Sequence, residues 1–159
     1  MKIITNVLLW SAFALIIGLS GCTKQEVEPD PADQVIGTYS GMTYTESING
    51  IAQSYDLTNE LIKNEVVISM NVAKKSASMV TIVLNFSQRD STGAMQSYTD
   101  TYDTIDLQAL GSGDFEMRNA GTAVGKIGNG LLKLQEIYSS ADENGTAIQV
   151  AVTIDAKKN

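Results

Sequence analysis

The sequence predicts an all-β fold, eight antiparallel strands running up and down and closed into a barrel. Three observations carry this expectation. From Val35 onward polarity alternates with a period of two, in short stretches divided by turn-forming residues, as in strands with one buried face. Asn49-Gly50 sits between two such stretches, and this dipeptide tolerates the positive φ angles of a type I′ hairpin. Apolar residues at helical spacing are almost absent.

The first strand is expected over residues 35–45 (VIGTYSGMTYT) and the second over 51–57, with a polar stretch at 58–64 that fits one helical turn through Leu61 and Ile62. Strand three, residues 65–73, sends Val66, Ile68, Met70 and Val72 to one side. Residues 74–77 connect it to strand four, 78–86, which does the same with Val80, Ile82, Leu84 and Phe86. After a loop at 88–94 come a fifth strand at 95–107 and a short sixth at 114–118.

The glycine-rich interval 120–130 is expected to be a flexible crossing. Its GTAVGKI resembles a phosphate loop, but that motif needs four residues between its glycines and a hydroxyl residue after the lysine. Strand seven, 131–139, places Leu132, Leu134 and Tyr138 on one face. Residues 141–146 (ADENGT) lack the later glutamate of a calcium loop and are expected to turn the chain into strand eight, 147–156, with Ile148, Val150, Val152 and Ile154 together. Short turns favour a meander, and closing it removes both exposed edges. A two-sheet β-sandwich is the alternative that the pattern leaves open.

The first 21 residues begin with Lys2, pass through the apolar VLLWSAFALIIGL and end on the small pair Ser20-Gly21, the layout of a secretory signal peptide. The apolar run is shorter than the ~20 residues a membrane-spanning helix needs. Cys22 follows, the only cysteine of the chain, and its neighbours Thr23, Lys24, Gln25 and Glu26 are too polar to enclose a buried thiol. Leu19-Ser20-Gly21-Cys22 resembles a bacterial lipobox. The resemblance implies cleavage before Cys22 and a diacylglyceryl group on its thiol. Two or more acyl chains, at ~0.8 kcal/mol per buried methylene, anchor a protein stably.

Residues 22–34 carry both prolines and several carboxylates, and are expected to be a flexible acidic tether ahead of a single barrel domain at 35–159. Thr23 after the cysteine resembles lipoproteins sorted to the outer membrane, and the acidic stretch at 26–33 resembles the tethers of those carried to its outer face. The implied location is the outer membrane, on its periplasmic or surface-exposed side.

Composition narrows the chemistry. The net charge is −7, and the leader, whose only charged residue is Lys2, leaves the remainder more negative still. This sign disfavours phosphate backbones and anionic bilayer surfaces, and the basic residues are scattered, with Lys74-Lys75 and Lys157-Lys158 the only adjacent pairs, so nucleic acid is not an expected partner. The chain has no histidine, and Trp10 and the one thiol belong to the leader and the anchor. Serine–histidine and cysteine–histidine nucleophiles, and metal sites built on imidazole or thiolate, are excluded. The expectation is a non-enzymatic binding module with no cofactor and no metal; its rival is a two-carboxylate glycosidase using Asp100 and Asp106.

Ile68, Met70, Ile82, Leu84, Val150 and Val152 are expected to line the barrel interior and to bind a small apolar or amphiphilic molecule, since eight-stranded barrels either fill with side chains or hold one such ligand. A filled barrel that contacts a partner protein or surface glycan is the alternative. Gly37-Thr38-Tyr39, within IGTYSG, is similar to the glycine-x-aromatic opening of lipocalin-like and calycin-like barrels, with tyrosine where tryptophan is usual. That resemblance, too, implies a small apolar or amphiphilic ligand inside the barrel.

In YTDTYDTID, Tyr98, Asp100, Tyr102, Thr104 and Asp106 share a face of an ideal strand, expected to be the solvated outer wall. Methionines such as Met70 and Met117 are expected to fill gaps in the core. Asp90-Ser91-Thr92 and Asp103-Thr104-Ile105 resemble a short O-glycosylation signal of exported proteins in some Gram-negative bacteria, which implies Ser91 and Thr104 as attachment points. Replacing the anchor tests the address: Cys22→Ala is expected to release the protein from the membrane fraction and to change its processed mass, read by fractionation and intact mass.

Overall fold

The computed structural model describes residues 28–141 and 144–159. The leader, Cys22, the first part of the tether and two residues of the 141–146 turn lie outside them. One short helix, α1 (Pro31–Val35), precedes nine strands: β1 (Gly37–Ile48), β2 (Ile51–Asp56), β3 (Val66–Ser76), β4 (Met79–Arg89), β5 (Met95–Gly111), β6 (Asp114–Asn119), β7 (Thr122–Gly128), β8 (Leu131–Ala141) and β9 (Ala147–Lys158). β1 and β3 through β9 close into an eight-stranded antiparallel barrel, and β2 is an extra strand outside the ring. The sandwich alternative does not form.

Closure rests on β1. Its first residues pair with β3 from Gly37↔Val72 to Ser40↔Ser69, and its second half pairs with β2 from Thr43↔Asp56 to Ile48↔Ile51. Along its other edge it pairs with β9 from Tyr39↔Lys158 to Ile48↔Val150, with a bulge between Gly41 and Thr43. A Cβ at position 41 would stand 2.9 Å from the Ile68 Cβ and 3.1 Å from the Leu57 Cδ1, so glycine lets β1 pass this close.

Two expectations are corrected. The interval 120–130 is not a flexible crossing: residues 122–128 form β7, paired with β6 and β8. The ring therefore has eight strands because β7 belongs to it and β2 does not. The end of the tether is not extended either. Pro31 supplies the fixed φ of a first helical position, and Ala32 and Val35 fall on one face and are buried. Residues 58–64 form turns, with the Ile62 and Lys63 amides both donating to the Asn59 carbonyl.

α1 plugs one end of the barrel. The Ala32 amide donates to the Ala77 carbonyl at 3.0 Å, and the buried Tyr39 hydroxyl donates to the Val35 carbonyl at 2.7 Å. Lys74 Nζ bridges Asp30 at 2.9 Å and Asp33 at 2.7 Å, which fixes the approach of the chain. The turns of this closed end are tied together: the Lys158 amide donates to the Gly130 carbonyl and the Asn129 side-chain amide to the Ser112 carbonyl. Behind the helix lies one continuous core that includes Met70, Ile82, Ile105, Met117, Ile127 and Leu132. No helix among the described residues is long and apolar enough to cross a membrane.

The glycines that obscure β7 in the sequence are what let it pair. Gly125 has φ +150°, and a Cβ there would lie 1.9 Å from the Lys133 carbonyl oxygen, whereas Gly121 has φ +83° with nothing within 4 Å. Gly121→Ala is expected to cost about 1–2 kcal/mol, the ordinary left-handed penalty. Gly125→Ala is expected to cost clearly more, because the β7–β8 ladder must move; urea unfolding of the two variants measures the difference.

Candidate functional site

The interior differs from one end to the other. Opposed residues of an antiparallel ladder project to the same side, so the register builds rows across the inner wall. Tyr44 stands opposite Tyr55 on β2 and Ile154 on β9, and Ile154 opposite Leu134 on β8. The next row towards the Asn49-Gly50 turn is Gln53, Glu46, Val152 and Glu136, and the row beyond is Ile51, Ile48, Val150 and Tyr138. Since Val152 and Ile154 are two apart on one strand and Ile154 is core, Glu46 and Glu136 flank Val152 on the inner face. On the far wall Ile82 faces Tyr102, Leu84 faces Asp100 and Phe86 faces Tyr98.

The open half is thus lined by tyrosines and three carboxylates, Glu46, Asp100 and Glu136, and no lysine or arginine among the described residues lies on these rows. Two of the contacts here, Tyr102–Glu136 and Tyr44–Phe86, join strands that are not hydrogen-bonded neighbours. The Tyr102 hydroxyl donates a short hydrogen bond to Glu136 Oε1, linking β5 to β8 across the β6–β7 hairpin. Tyr44 packs on Tyr55 and on Phe86, with ring centroids 6.1 and 6.0 Å apart and tilted by 33° and 58°. Burial, then the Glu136 hydrogen bond, pushes the Tyr102 phenol well above its ordinary value. Burial, then the charge of Glu46, raises Tyr44 to about 12. Both phenols are neutral donors at physiological pH.

A cavity of about 360 Å³ lies where β7 and β8 part. Their ladder runs only from Gly125↔Leu134 to Gly128↔Leu131, and residues 122–124 face residues 135–137 across the gap, with Glu136 and Val152 among the lining. A second concavity, of about 570 Å³, is lined by the outward residues Thr43, Lys126, Lys133 and Asp155 together with Met42 and Leu131.

Of the expected lining, Ile68, Met70 and Ile82 are buried in the core, while Leu84 and Val152 are half-buried against it. Val150 is buried one row further out. The Tyr–Asp stripe is not the outer wall throughout, which corrects the sequence expectation. A bulge sets Asp103 and Thr104 against Thr81 alone, so Tyr98, Asp100 and Tyr102 face inward while Thr104 and Asp106 face outward. Tyr102 is only 7% exposed. Asp100 and Asp106 therefore stand on opposite faces and cannot act on one glycosidic bond.

Ser91 lies in an exposed turn in which the Asp90 carboxylate accepts from the Thr92 amide, the Thr92 hydroxyl and the Ala94 amide. Thr104 lies within β5, its hydroxyl oxygen 2.6 Å from Lys75 Nζ. Cys22 is outside the described residues. Tyr44, Glu46 and Glu136 escaped the sequence analysis, which placed Tyr102 on the outer wall, although Glu136 falls in phase with Leu132, Leu134 and Tyr138. A charged residue on the apolar phase of a strand was the available signal. The chain matches no protein-family model and no curated protein.

The raised phenols set a pH dependence. The folded chain holds the Tyr44 proton more tightly than the unfolded chain, whose phenol titrates near 10, so the stability this gives is complete below pH 10 and is lost as pH rises towards about 12. Denaturant midpoints measured upward from pH 10 are expected to fall in the native protein, and to fall less steeply in Tyr44→Phe.

Proposed function

We propose that this chain is a non-enzymatic binding module, anchored at the outer membrane by lipid on Cys22, whose open end takes a small amphiphilic molecule. The observation that carries this reading is the division of the interior: an apolar core behind α1, and above it rows in which tyrosines and carboxylates surround Leu84, Phe86, Val150 and Val152. Aliphatic and aromatic faces there suit the apolar part of a ligand. Glu46, Asp100 and Glu136 suit hydroxyl or ammonium groups at its polar end, with the neutral phenols as donors. The lipobox-like residues 19–22 support the anchor, and the closed antiparallel barrel supports the calycin-like resemblance drawn from Gly37-Thr38-Tyr39. Ser91, on an exposed turn, is the better placed of the two proposed glycosylation sites.

A specific observation favours a second reading, an accessory protein that meets a partner protein or glycan at its rim. Ile51, Leu61 and Ile137 are 81%, 84% and 71% exposed near the open end. Native mass spectrometry of protein taken from its own envelope separates the two. The first reading expects a co-purifying small molecule that Val152→Trp removes and Ile137→Lys retains. A ligand at a hundred times its Kd adds about 2.7 kcal/mol, so the matching amphiphile is expected to raise Tm measurably. An empty barrel that no fatty acid, isoprenoid or other amphiphile stabilises leaves the rim as the working surface.

A further inference from the structure

The two ends of the barrel differ in what they present to solvent. The chain enters at the closed end, because α1 sits there and residues 22–30 lead directly into it. Ile36, Leu110 and Leu131 are exposed at this end, and Leu131 stands opposite Lys157, with Lys158 next along the strand. Of the acids at this end, Asp30 and Asp33 are held by Lys74, Asp103 by Lys75 and Asp155 by Lys133, Asp114 accepts from the Asn129 side-chain amide, and Glu28 is exposed. The open end has the opposite character. It carries Glu46, Asp56, Asp90, Asp100 and Glu136, while its basic residues among those described, Lys63, Arg89 and Arg118, are paired with Glu60, Glu65 and Glu116.

We propose that, against the negative balance of the chain as a whole, the placement of Lys157 and Lys158 makes the closed end a docking surface for an anionic bilayer, which seats the barrel with its mouth turned away from the lipid. The proposal deepens the lipid-anchored reading above and rests on it for the position of the anchor. From Cys22 to Asp30 the chain spans at most about 30 Å, so the anchor keeps the closed end near the surface. Ile36, Leu110 and Leu131 enter the headgroup boundary, and Lys157 and Lys158 lay their stems along it with their charges at the anionic headgroups. The acidic rim is repelled by the same surface, so charge orients the barrel as well as holding it. The apolar residues of the mouth are thereby left free for ligand or partner.

Composition supplies the probe, since no tryptophan follows Trp10. The chain from Cys22 onward is coupled through its single thiol to a maleimide lipid in vesicles containing phosphatidylglycerol and brominated phospholipid. One tryptophan is placed at the closed end by Leu131→Trp or Ser112→Trp, or at the open end by Tyr98→Trp or Tyr138→Trp; two positions per end keep the test intact if one variant fails to fold. Closed-end emission is expected to be quenched and open-end emission unaffected, and Lys157→Glu with Lys158→Glu, or high salt, is expected to relieve the quenching. Equal emission from both ends, or quenching at the mouth alone, overturns the proposal. The synthetic anchor separates this outcome from the lipoprotein reading, which fails independently if Cys22 of the envelope protein carries no acyl mass.

Discussion

Everything in this molecule depends on one strand keeping three neighbours. β1 has two edges, yet it must close the barrel against β9, start the long run of hairpins at β3 and also carry β2. It manages this by dividing one edge between β3 and β2 while the other follows β9 almost throughout. The bulge between Gly41 and Thr43 lies at the changeover, where Gly41 leaves room for Ile68 and Leu57. With this arrangement the barrel is filled by core side chains where β3 pairs with β1, and it is lined differently where β2 takes over. The packed half and the tyrosine-lined half are two consequences of the same division.

That division also separates the packed core from the rows for which we propose ligand binding. The closed half holds aliphatic and methionine side chains that are essentially inaccessible, and α1 seals it with Ala32 and Val35. The open half carries carboxylates on interior rows, a cost that a purely structural barrel avoids, because a charge facing apolar neighbours loses hydration. Here the cost is moderated: Glu136 receives the Tyr102 hydroxyl, and Glu46 and Asp100 remain near solvent. Carboxylates at these positions break the apolar pattern of the inner face, and it is on them that the proposed binding role of the mouth rests.

Most strands were legible because alternation with a period of two is imposed by a half-buried sheet, and β3, β4, β8 and β9 carry it cleanly. β7 was not, because GTAVGKIG offers glycines where the pattern needs side chains; Gly125 faces the interior in contact with Met117 and the β8 backbone. α1 was hidden by the acidic, proline-bearing composition around it, although Ala32 and Val35 already stood at helical spacing. The site was half legible. The apolar lining followed from parity, but a bulge changes parity within a strand, and the bulge beside Tyr102 cannot be read from β5 alone because it is defined against β4.

The β1–β9 ladder, which joins Tyr39 to Lys158, makes folding a matter of order in time. The strand that completes the ring comes after all the others in the chain, so the earlier hairpins form with two unsatisfied edges, on β1 and β8, until β9 arrives. Local pairings are quick, but ring closure spans almost the whole domain and carries the loop entropy of that span. Without β9 the ring cannot close, and the free edges of β1 and β8 are the places where edge-to-edge pairing between chains competes with closure.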